Sequence, residues 1–218
     1  MIPIFSVDLI VFTVLGYPVS YIEFFGTGLY LWSVWLIARR NRLTWPVGLV
    51  SVLLFLVIYY QIRLYSDMLE QVYYLGASLY GWWYWSRTRS APNAPPAVRY
   101  STGRALLAYG LATAGLAAAL GGIMSQIHLW LPAVFPAAAA YPYLDALTTV
   151  MSLTAMWLMA RQHIESWLYW IIVDGVGVWL YFRQDVKFIA LLYVILLGLA
   201  VKGWSDWHRA GAGRRTAA

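Results

Sequence analysis

Two stretches of the chain share one pattern, YIEFFGTGLYLWSVWLIAR (21–39) and YLDALTTVMSLTAMWLMAR (143–161). Both begin with tyrosine, carry an acid at the third position and end in Trp-Leu-X-Ala-Arg, and they lie 122 residues apart. Each is about the length of one membrane-spanning helix. The pattern therefore indicates a helical unit that occurs twice in the chain.

The match continues at the same offset, without gaps, to the ends of the segments 21–85 and 143–207. Shared hydrophobicity alone does not explain paired tryptophans and glycines. The paired positions are Thr27 and Thr149, Trp45 and Trp167, Tyr59 and Tyr181, Leu69 and Leu191, Val72 and Val194, Gly76 and Gly198, Gly81 and Gly203, Trp82 and Trp204, and Trp85 and Trp207.

The composition assigns the chain to the membrane. Of its 218 residues, 62% are hydrophobic and only 11% are charged, whereas soluble domains carry about 25% charged residues. The mean hydropathy of +0.65 agrees. So little charge excludes a soluble fold, a disordered tail and a nucleic-acid-binding domain. The lack of cysteine excludes disulfides and thiol chemistry.

Seven segments are apolar over the length of about 20 residues that a transmembrane helix needs. They are 21–38, 45–62, 66–85, 103–124, 143–160, 165–182 and 187–207. The stretch 2–16 is also apolar, but it is short and interrupted by Asp8. We expect an interfacial or partly inserted helix there, with an eighth span as the alternative.

These spans predict an all-α polytopic membrane protein in which two parallel three-helix repeats are joined by a linker helix. One linking span gives both repeats the same orientation, as in transporters whose substrate site lies at the midplane between repeats. The predicted units are an N-terminal helix at 1–20, the repeats at 21–85 and 143–207, a segment at 86–142 with a cytoplasmic loop, the linker helix and an external loop, and a tail at 208–218.

The basic residues predict the orientation. One side of the predicted spans collects most of them, while only Arg63, Arg183 and Lys187 fall on the other. The positive-inside rule therefore places the C-terminus in the cytoplasm. The basic residues on that side are Arg39, Arg40, Arg42, Arg87, Arg89, Arg99, Arg104, Arg161, Lys202, Arg209, Arg214 and Arg215.

Several motifs resemble the PnuC-type family of nicotinamide riboside transporters. They are WPVGLVS (45–51), QIRLYSDMLEQVYYL (61–75), YGWWYW (80–85), DALTTVMSLTAMWLMAR (145–161) and ESWLYWIIVD (165–174). The resemblance implies a SWEET-like fold in the cell inner membrane, commonly a homotrimer in contact with membrane lipids. It also implies uptake of a vitamin by facilitated diffusion, with trapping by a cytoplasmic vitamin kinase.

The resemblance leaves the vitamin open. Nicotinamide riboside members tend to carry asparagine in the middle of the second and sixth spans, where this chain has Ser51 and Asp174. Nicotinamide riboside is the expected substrate because it is the commonest in the family. A thiamin transporter is the alternative within the family, and a non-transporting structural membrane protein is the alternative of another class.

Asp174 is the sharpest candidate site residue. It lies about ten residues into an otherwise apolar span, and an ionisable group at that depth is a functional-site hypothesis by default. Trp167, Trp170 and Asp174 share one helix face by their spacing. Aromatic rings beside a carboxylate suit a cationic aromatic ligand such as nicotinamide riboside or thiamin. The alternative is a protonated or hydrogen-bonded aspartate that holds helices together.

Five further residues complete the predicted substrate site. Gln71 and Glu70 lie in the third span, and the 122-residue offset places Tyr193 opposite Gln71. A mid-span amide can bind a ribose hydroxyl, and the resemblance favours that role for Gln71 over interhelical packing. Glu70 is nearer the external side, as a site or vestibule charge. Trp45 is either a site residue or an interface anchor, and Ser51 occupies the family's asparagine position.

Other residues count against an enzyme. His128, His163 and His208 fall in predicted loops or the tail, without a partner at catalytic spacing. We therefore predict no enzyme activity, cofactor or metal site. Glu23 and Asp145 begin the first and fifth spans, where the helix dipole favours a carboxylate, and we expect both to be structural.

Overall fold

The computed structural model describes residues 5–63, 65–88, 96–132 and 137–215. Across these ranges the chain forms seven α-helices and one two-stranded hairpin. The elements are β1 (Ile10–Val14), β2 (Tyr17–Ser20), α1 (Tyr21–Ala38), α2 (Thr44–Gln61), α3 (Tyr65–Arg87), α4 (Gly103–Trp130), α5 (Pro142–Ala160), α6 (Ser166–Arg183) and α7 (Lys187–Arg215). Each helix begins within one residue of a predicted span.

The N-terminal segment differs from the prediction, because residues 10–20 form an antiparallel hairpin and not a helix. Leu15 and Gly16 connect the strands, and both have positive φ, at 51° and 83°. Such a two-residue turn matches the twist of paired strands. The β-branched run from Ile10 to Val14 favours a strand. The fold is therefore helical apart from this hairpin.

Two helices extend beyond their predicted ends. Helix α4 continues to Trp130, so the external loop predicted from residue 125 begins later. Helix α7 continues to Arg215, so most of the predicted tail 208–218 is helical. His128 and His208 consequently lie in helices and not in loops. Of the tail, residues 216–218 lie outside the described residues, as do 89–95 of the predicted cytoplasmic loop.

Six of the helices pack as a ring. Helix α1 packs on α2, α2 on α3, α3 on α5, α5 on α6, α6 on α7, and α7 returns to α1, while α4 packs on α5 outside the ring. At the α3–α5 junction the Tyr73 hydroxyl donates to the Leu153 carbonyl over 2.8 Å. We call α1–α3 the first three-helix group and α5–α7 the second.

The two groups have matching connectors 122 residues apart. Arg40 and Gln162 follow the first helix of each group, with φ values of 55° and 68°. Arg63 and Asp185 follow the second helix of each group, with φ values of 61° and 60°. A left-handed residue just beyond a helix is a common way to end it, and here non-glycine residues adopt that conformation at corresponding places.

The ring has two distinct ends. We call the end where α1, α3 and α5 finish, beside Arg39, Arg87 and Arg161, the arginine end. The opposite end is the hairpin end. There the Gln61 amide donates to the Phe5 carbonyl over 2.6 Å, and the Tyr17 ring stacks on Phe188 with centroids 5.0 Å apart. The hairpin thus touches both three-helix groups.

Glu23 fixes the start of α1. Its backbone N–H donates to the Ser20 hydroxyl, and its carboxylate accepts from the Ser20 backbone N–H over 2.8 Å. This reciprocal capping box confirms the structural role predicted for Glu23. The same carboxylate accepts from the Tyr17 hydroxyl over 2.8 Å. Burial, together with this hydrogen bond and the Glu23 charge, raises the pKa of Tyr17 to about 12.

Five helices, namely α1, α2, α4, α5 and α7, are long and apolar enough to cross a membrane by length and composition. Helices α3 and α6 fall short, and they are the two that carry Glu70 and Asp174. Because both belong to the ring, their polar residues face other helices as well as lipid. Polar residues, Glu70 in α3 and Asp174 in α6 among them, lower the mean hydropathy of these two helices.

Candidate substrate site inside the helix ring

Asp174 is buried within the ring. Its residue is 4% exposed, and it lies eight residues into α6 from Ser166. Among the residues that the structure describes, no lysine, arginine or histidine forms an ion pair with it. A buried carboxylate without a cationic partner is costly. A cation that entered the ring would therefore find at Asp174 an acid that no protein cation neutralises.

Tyr193 of α7 packs beside this acid. Its ring lies so close to Gly177 that a Cβ at that position would overlap the ring atoms. Gly177 is three residues after Asp174 and therefore on the same face of α6. Tyr193 also stacks on Tyr181, with ring centroids 5.3 Å apart. The absence of a side chain at Gly177 is what allows an aromatic ring to approach the Asp174 face.

Tyr30 of α1, the helix next to α7 in the ring, reaches the same region from the first three-helix group. It lies within electrostatic reach of Asp174, Tyr193 and Tyr59. Its ring meets the edge of Phe55 at 6.4 Å, and Phe55 stacks on Tyr59 at 6.0 Å. The first three-helix group thus contributes tyrosines that face the acid and the tyrosine of the second group.

Helix α3 adds a second acid. The Tyr74 hydroxyl donates to Glu70 Oε1 over 2.6 Å, and Tyr30 and Tyr193 lie within electrostatic reach of Glu70. Gln71 is half-buried next to Glu70. Successive residues on a helix point about 100° apart, so Gln71 and Glu70 do not share one direction.

We call this set of residues the tyrosine–acid cluster. It combines hydroxyl groups, aromatic faces and carboxylates from both three-helix groups. Such an arrangement can bind a cation by charge and by cation–π contact, and it can accept hydrogen bonds from a sugar. Its members are Tyr30, Tyr59, Glu70, Tyr74, Asp174 and Tyr193.

The structure places four of the predicted site residues elsewhere. Trp45 and Trp167 are only 2% and 1% exposed, and their rings fill the spaces above Gly81 and Gly203. Trp170 packs against the same buried group of side chains. The Ser51 hydroxyl donates to the Gly26 carbonyl over 2.9 Å and is buried between α1 and α2. These four residues serve packing in the structure, and the tyrosine–acid cluster does not include them.

Sequence reasoning missed Tyr30, Tyr59 and Tyr74 as site residues, although the offset pairs Tyr59 with Tyr181. The offset could not reveal Tyr30, because the residue 122 positions later is Ser152. A usable signal was present in α3, where Glu70 and Tyr74 are four residues apart in a predicted span. Polar groups at that spacing are neighbours on one helix face. An acid paired with a hydroxyl in a membrane-spanning helix indicates a face that looks toward other helices and not toward lipid.

His163 does have partners, contrary to the prediction. Its Nδ1 lies 2.8 Å from the Ser101 hydroxyl and 3.7 Å from Glu165 Oε2. Glu165 itself accepts from the Ser101 hydroxyl and backbone N–H. Burial raises the pKa of Glu165, but these hydrogen bonds outweigh it and hold the pKa below its usual value. The three residues fasten the segment before α4 to the connector before α6, a docking role.

Comparisons with known proteins agree with the helical fold. The family model described as nicotinamide mononucleotide transporter matches residues 20–209. The nicotinamide riboside transporter PnuC of Escherichia coli (strain K12) is 32% identical over 207 residues, which cover 88% of this chain and 87% of that protein. The riboflavin/roseoflavin transporter RibM of Streptomyces davaonensis is 32% identical over 170 residues, covering 78% and 76%.

The crystal structure of the vitamin B3 transporter PnuC has the same fold, with a TM-score of 0.67 at 22% sequence identity over 88% of this chain and 82% of that one. The helix ring and these relatives define a polytopic membrane transporter and not an enzyme. The chain belongs to the nicotinamide mononucleotide transporter family. The resemblance inferred from its motifs is thereby confirmed.

Proposed function

We propose that the protein takes up nicotinamide riboside, which binds in the tyrosine–acid cluster between the two three-helix groups. The observation that carries this proposal is Asp174, an acid buried in the ring that forms no ion pair with any basic side chain the structure describes. The pyridinium of nicotinamide riboside supplies the missing positive charge. The similarity to PnuC of Escherichia coli supports the choice of vitamin.

Each part of the cluster has a role in this proposal. Asp174 pairs with the pyridinium, and Tyr30 and Tyr193 offer aromatic faces to it, a contact worth about 0.5–2 kcal/mol. Glu70 accepts hydrogen bonds from the ribose hydroxyls on the α3 side, and Gln71, which points about 100° away from Glu70, stays a predicted contact outside the cluster. Because these residues come from both three-helix groups, a bound vitamin contacts both groups at once.

The proposed architecture is two parallel repeats, 21–85 and 143–207, with α4 as the linker. The matching connectors at Arg40 and Gln162 support it. The arginine end then faces the cytoplasm and the hairpin end faces outward, in agreement with the positive-inside rule. A homotrimer with one pathway per protomer, and trapping of the vitamin by a cytoplasmic kinase, are proposed from the family resemblance.

We further propose movement by facilitated diffusion. In vesicles, labelled nicotinamide riboside should equilibrate across the membrane and should not accumulate against its gradient. Accumulation that collapses on addition of a proton uncoupler would contradict this part of the proposal and would leave the substrate assignment intact.

Thiamin is the alternative substrate, because its thiazolium carries the same charge. Titration calorimetry of the purified protein against nicotinamide riboside, thiamin and riboflavin ranks them. We expect nicotinamide riboside to bind most tightly and neutral riboflavin most weakly. Tighter binding of thiamin would transfer the assignment to thiamin, and tighter binding of riboflavin would refute the charge-based proposal.

The variant Asp174→Asn tests the charge itself. It keeps the shape of the side chain but removes the carboxylate, and we expect nicotinamide riboside to bind at least about 10-fold more weakly, which corresponds to about 1.4 kcal/mol. The neutral dihydronicotinamide form should show little change. Asp206→Asn, at a half-buried acid paired with Lys202, is the matched control. Equal loss for charged and neutral forms would show that Asp174 acts by packing only.

A further inference from the structure

Four tryptophans form one continuous row across the arginine end. Trp45 meets Trp85 at a centroid distance of 5.2 Å, Trp85 meets Trp207 at 6.0 Å, and Trp207 meets Trp167 at 5.7 Å. All four are at most 2% exposed. The first two belong to the first three-helix group and the last two to the second. This tryptophan row therefore closes the ring between the groups.

Two hydrogen bonds hold the row across the junctions. Trp85 Nε1 donates to the Ala160 carbonyl at the end of α5 over 3.0 Å, and Trp207 Nε1 donates to the Ile37 carbonyl at the end of α1 over 3.1 Å. Carbonyls at a helix C-terminus have no partner in their own helix. The Ala160 carbonyl accepts from the other three-helix group, and the Ile37 carbonyl, which also accepts from the Arg40 backbone N–H over 2.9 Å, gains Trp207 as a second donor. One such bond lies at each place where the groups meet.

The outer rings of the row are held differently. Trp45 lies against Gly81 and Trp167 against Gly203, where a Cβ would overlap the indole. Neither indole N–H has an acceptor among the described residues, although both are buried. A buried donor without an acceptor costs free energy that water would relieve. If the row opened, water could accept hydrogen bonds from the indole N–H groups of Trp45 and Trp167, and this would favour the open state.

The row lies on the side of the tyrosine–acid cluster that faces the arginine end. On α6, Asp174 is seven residues from Trp167, about 10 Å along the helix. On α3, Tyr74 is eleven residues from Trp85, about 16 Å. Ser78 lies between Tyr74 and Trp85 on the same face of α3 and is 2% exposed. A ligand that moves from the cluster along the helices toward the arginine end would therefore meet the row.

We propose that the tryptophan row is the gate at the arginine end, which opens between Trp85 and Trp207 when both hydrogen bonds break. This proposal rests on the proposed function, because it assumes that a ligand passes between the three-helix groups. Trp85 and Trp207 are then positioning residues that set how often the gate opens. If the row is instead a permanent plug, the same contacts serve stability alone.

The lack of cysteine permits a direct test. Ser78→Cys introduces a single thiol behind the row, and a membrane-impermeant maleimide reports its exposure from each side of a vesicle. With the row intact, labelling from the arginine end should be slow but measurable. Loss of one buried hydrogen bond should raise the rate about fivefold in Trp85→Phe or in Trp207→Phe.

Two controls separate hydrogen bonding from packing. Trp45→Phe truncates a ring of the row without removing either hydrogen bond, so its labelling rate should rise less than that of Trp85→Phe. Trp82→Phe changes an exposed ring on α3 and should leave the rate unchanged. Equal rates in Trp85→Phe and Trp45→Phe would overturn the hydrogen-bond gate.

A second measurement does not depend on the tryptophan variants. Ser78→Cys in the otherwise unchanged chain should be labelled faster from the arginine end when nicotinamide riboside is present, because transport opens the gate. Complete protection with and without the vitamin would show a permanent plug. Labelling without vitamin tests the gate alone, so failure of vitamin binding with normal labelling would refute the proposed function and leave the gate standing.

Discussion

The arginine end and the tyrosine–acid cluster are both aromatic, yet their rings are packed differently, in keeping with the roles proposed for them. At the arginine end four indoles pack at no more than 2% exposure, with two edge-to-face contacts and one tilted contact between Trp85 and Trp207. In the cluster, tyrosines alternate with carboxylates and stay half-buried. Tryptophan brings a large ring with a single donor, whereas tyrosine brings a hydroxyl that can also accept. Under the two proposals, tryptophan forms the closing contact and tyrosine forms the binding surface.

The largest expected effect concerns the glycines of the tryptophan row. Gly81→Ala or Gly203→Ala places a methyl group inside an indole ring that has no room to move. Overpacking of this kind costs about 1–3 kcal/mol, so the melting temperature in detergent should fall clearly.

Gly76→Ala and Gly198→Ala are matched controls on the same two helices, because a Cβ at either position meets nothing within 4 Å. They should melt at or slightly above the temperature of the unchanged protein, since alanine favours a helix over glycine. If all four variants melt alike, the row is not tightly packed.

The next effect is expected in the cluster, on binding as well as on stability. Gly177→Ala should displace the Tyr193 ring and weaken nicotinamide riboside binding about 10-fold, or about 1.4 kcal/mol. Gly175→Ala, two residues earlier and with open space around its Cβ, should bind normally. Calorimetry that finds the same affinity for both variants would remove Tyr193 from the site.

Ser51→Ala tests whether the contact of Ser51 in α2 with Gly26 in α1 serves packing or substrate binding. Loss of the buried bond to the Gly26 carbonyl should cost about 1 kcal/mol of stability and leave vitamin affinity unchanged. Ser125→Ala, whose hydroxyl bonds within its own helix, is the comparison for stability. A loss of affinity in Ser51→Ala would return Ser51 to the substrate site.

The smallest effect is a pH dependence at the arginine end. Hydrogen bonds hold the pKa of Glu165 below its usual value despite burial. Its ionised form therefore stabilises the fold fully above the unfolded-state value of about 4.3, and this stabilisation is lost as the pH falls through the lower folded-state pKa.

Melting curves of Glu165→Gln and the unchanged protein should accordingly differ at pH 7 and converge in acid. Asp185→Asn, at an exposed acid paired with Lys187, should show little difference at either pH. A gap between Glu165→Gln and the unchanged protein that persists in acid would mean that Glu165 acts through its shape and not through its charge.

Helix positions followed from the sequence because a bilayer imposes a length on every span. That rule placed the start of each helix from α1 to α7 within one residue. It failed at residues 10–20, where high hydrophobicity hid the strand preference of a β-branched run around a Leu15–Gly16 turn. Apolarity predicts burial in lipid or protein, but it does not by itself distinguish a strand from a short helix.

Site residues were harder to predict, because a membrane helix is apolar on every face and its periodicity does not show which face looks inward. Asp174 was identifiable from its charge alone, and Tyr193 from the offset. Trp167 shares a face with Asp174 but lies two turns away, beside Gly203. Which aromatics surround an acid depends on how the helices pack, such as the packing of Tyr193 of α7 against Gly177 of α6, and this packing is not encoded in the spacing along one helix.

The closure of the ring between α1 and α7 has a consequence for synthesis. Helix α1 is made before α7, yet α7 is one of its two neighbours in the ring. Before α7 is made, the Ile37 carbonyl lacks its hydrogen bond from Trp207. The N-terminal hairpin likewise lacks its stacking contact with Phe188. Until the final helix is inserted, one flank of α1 faces lipid or another membrane protein. Chains that end before α7 should therefore be recognised as incomplete by the quality-control proteases of the membrane.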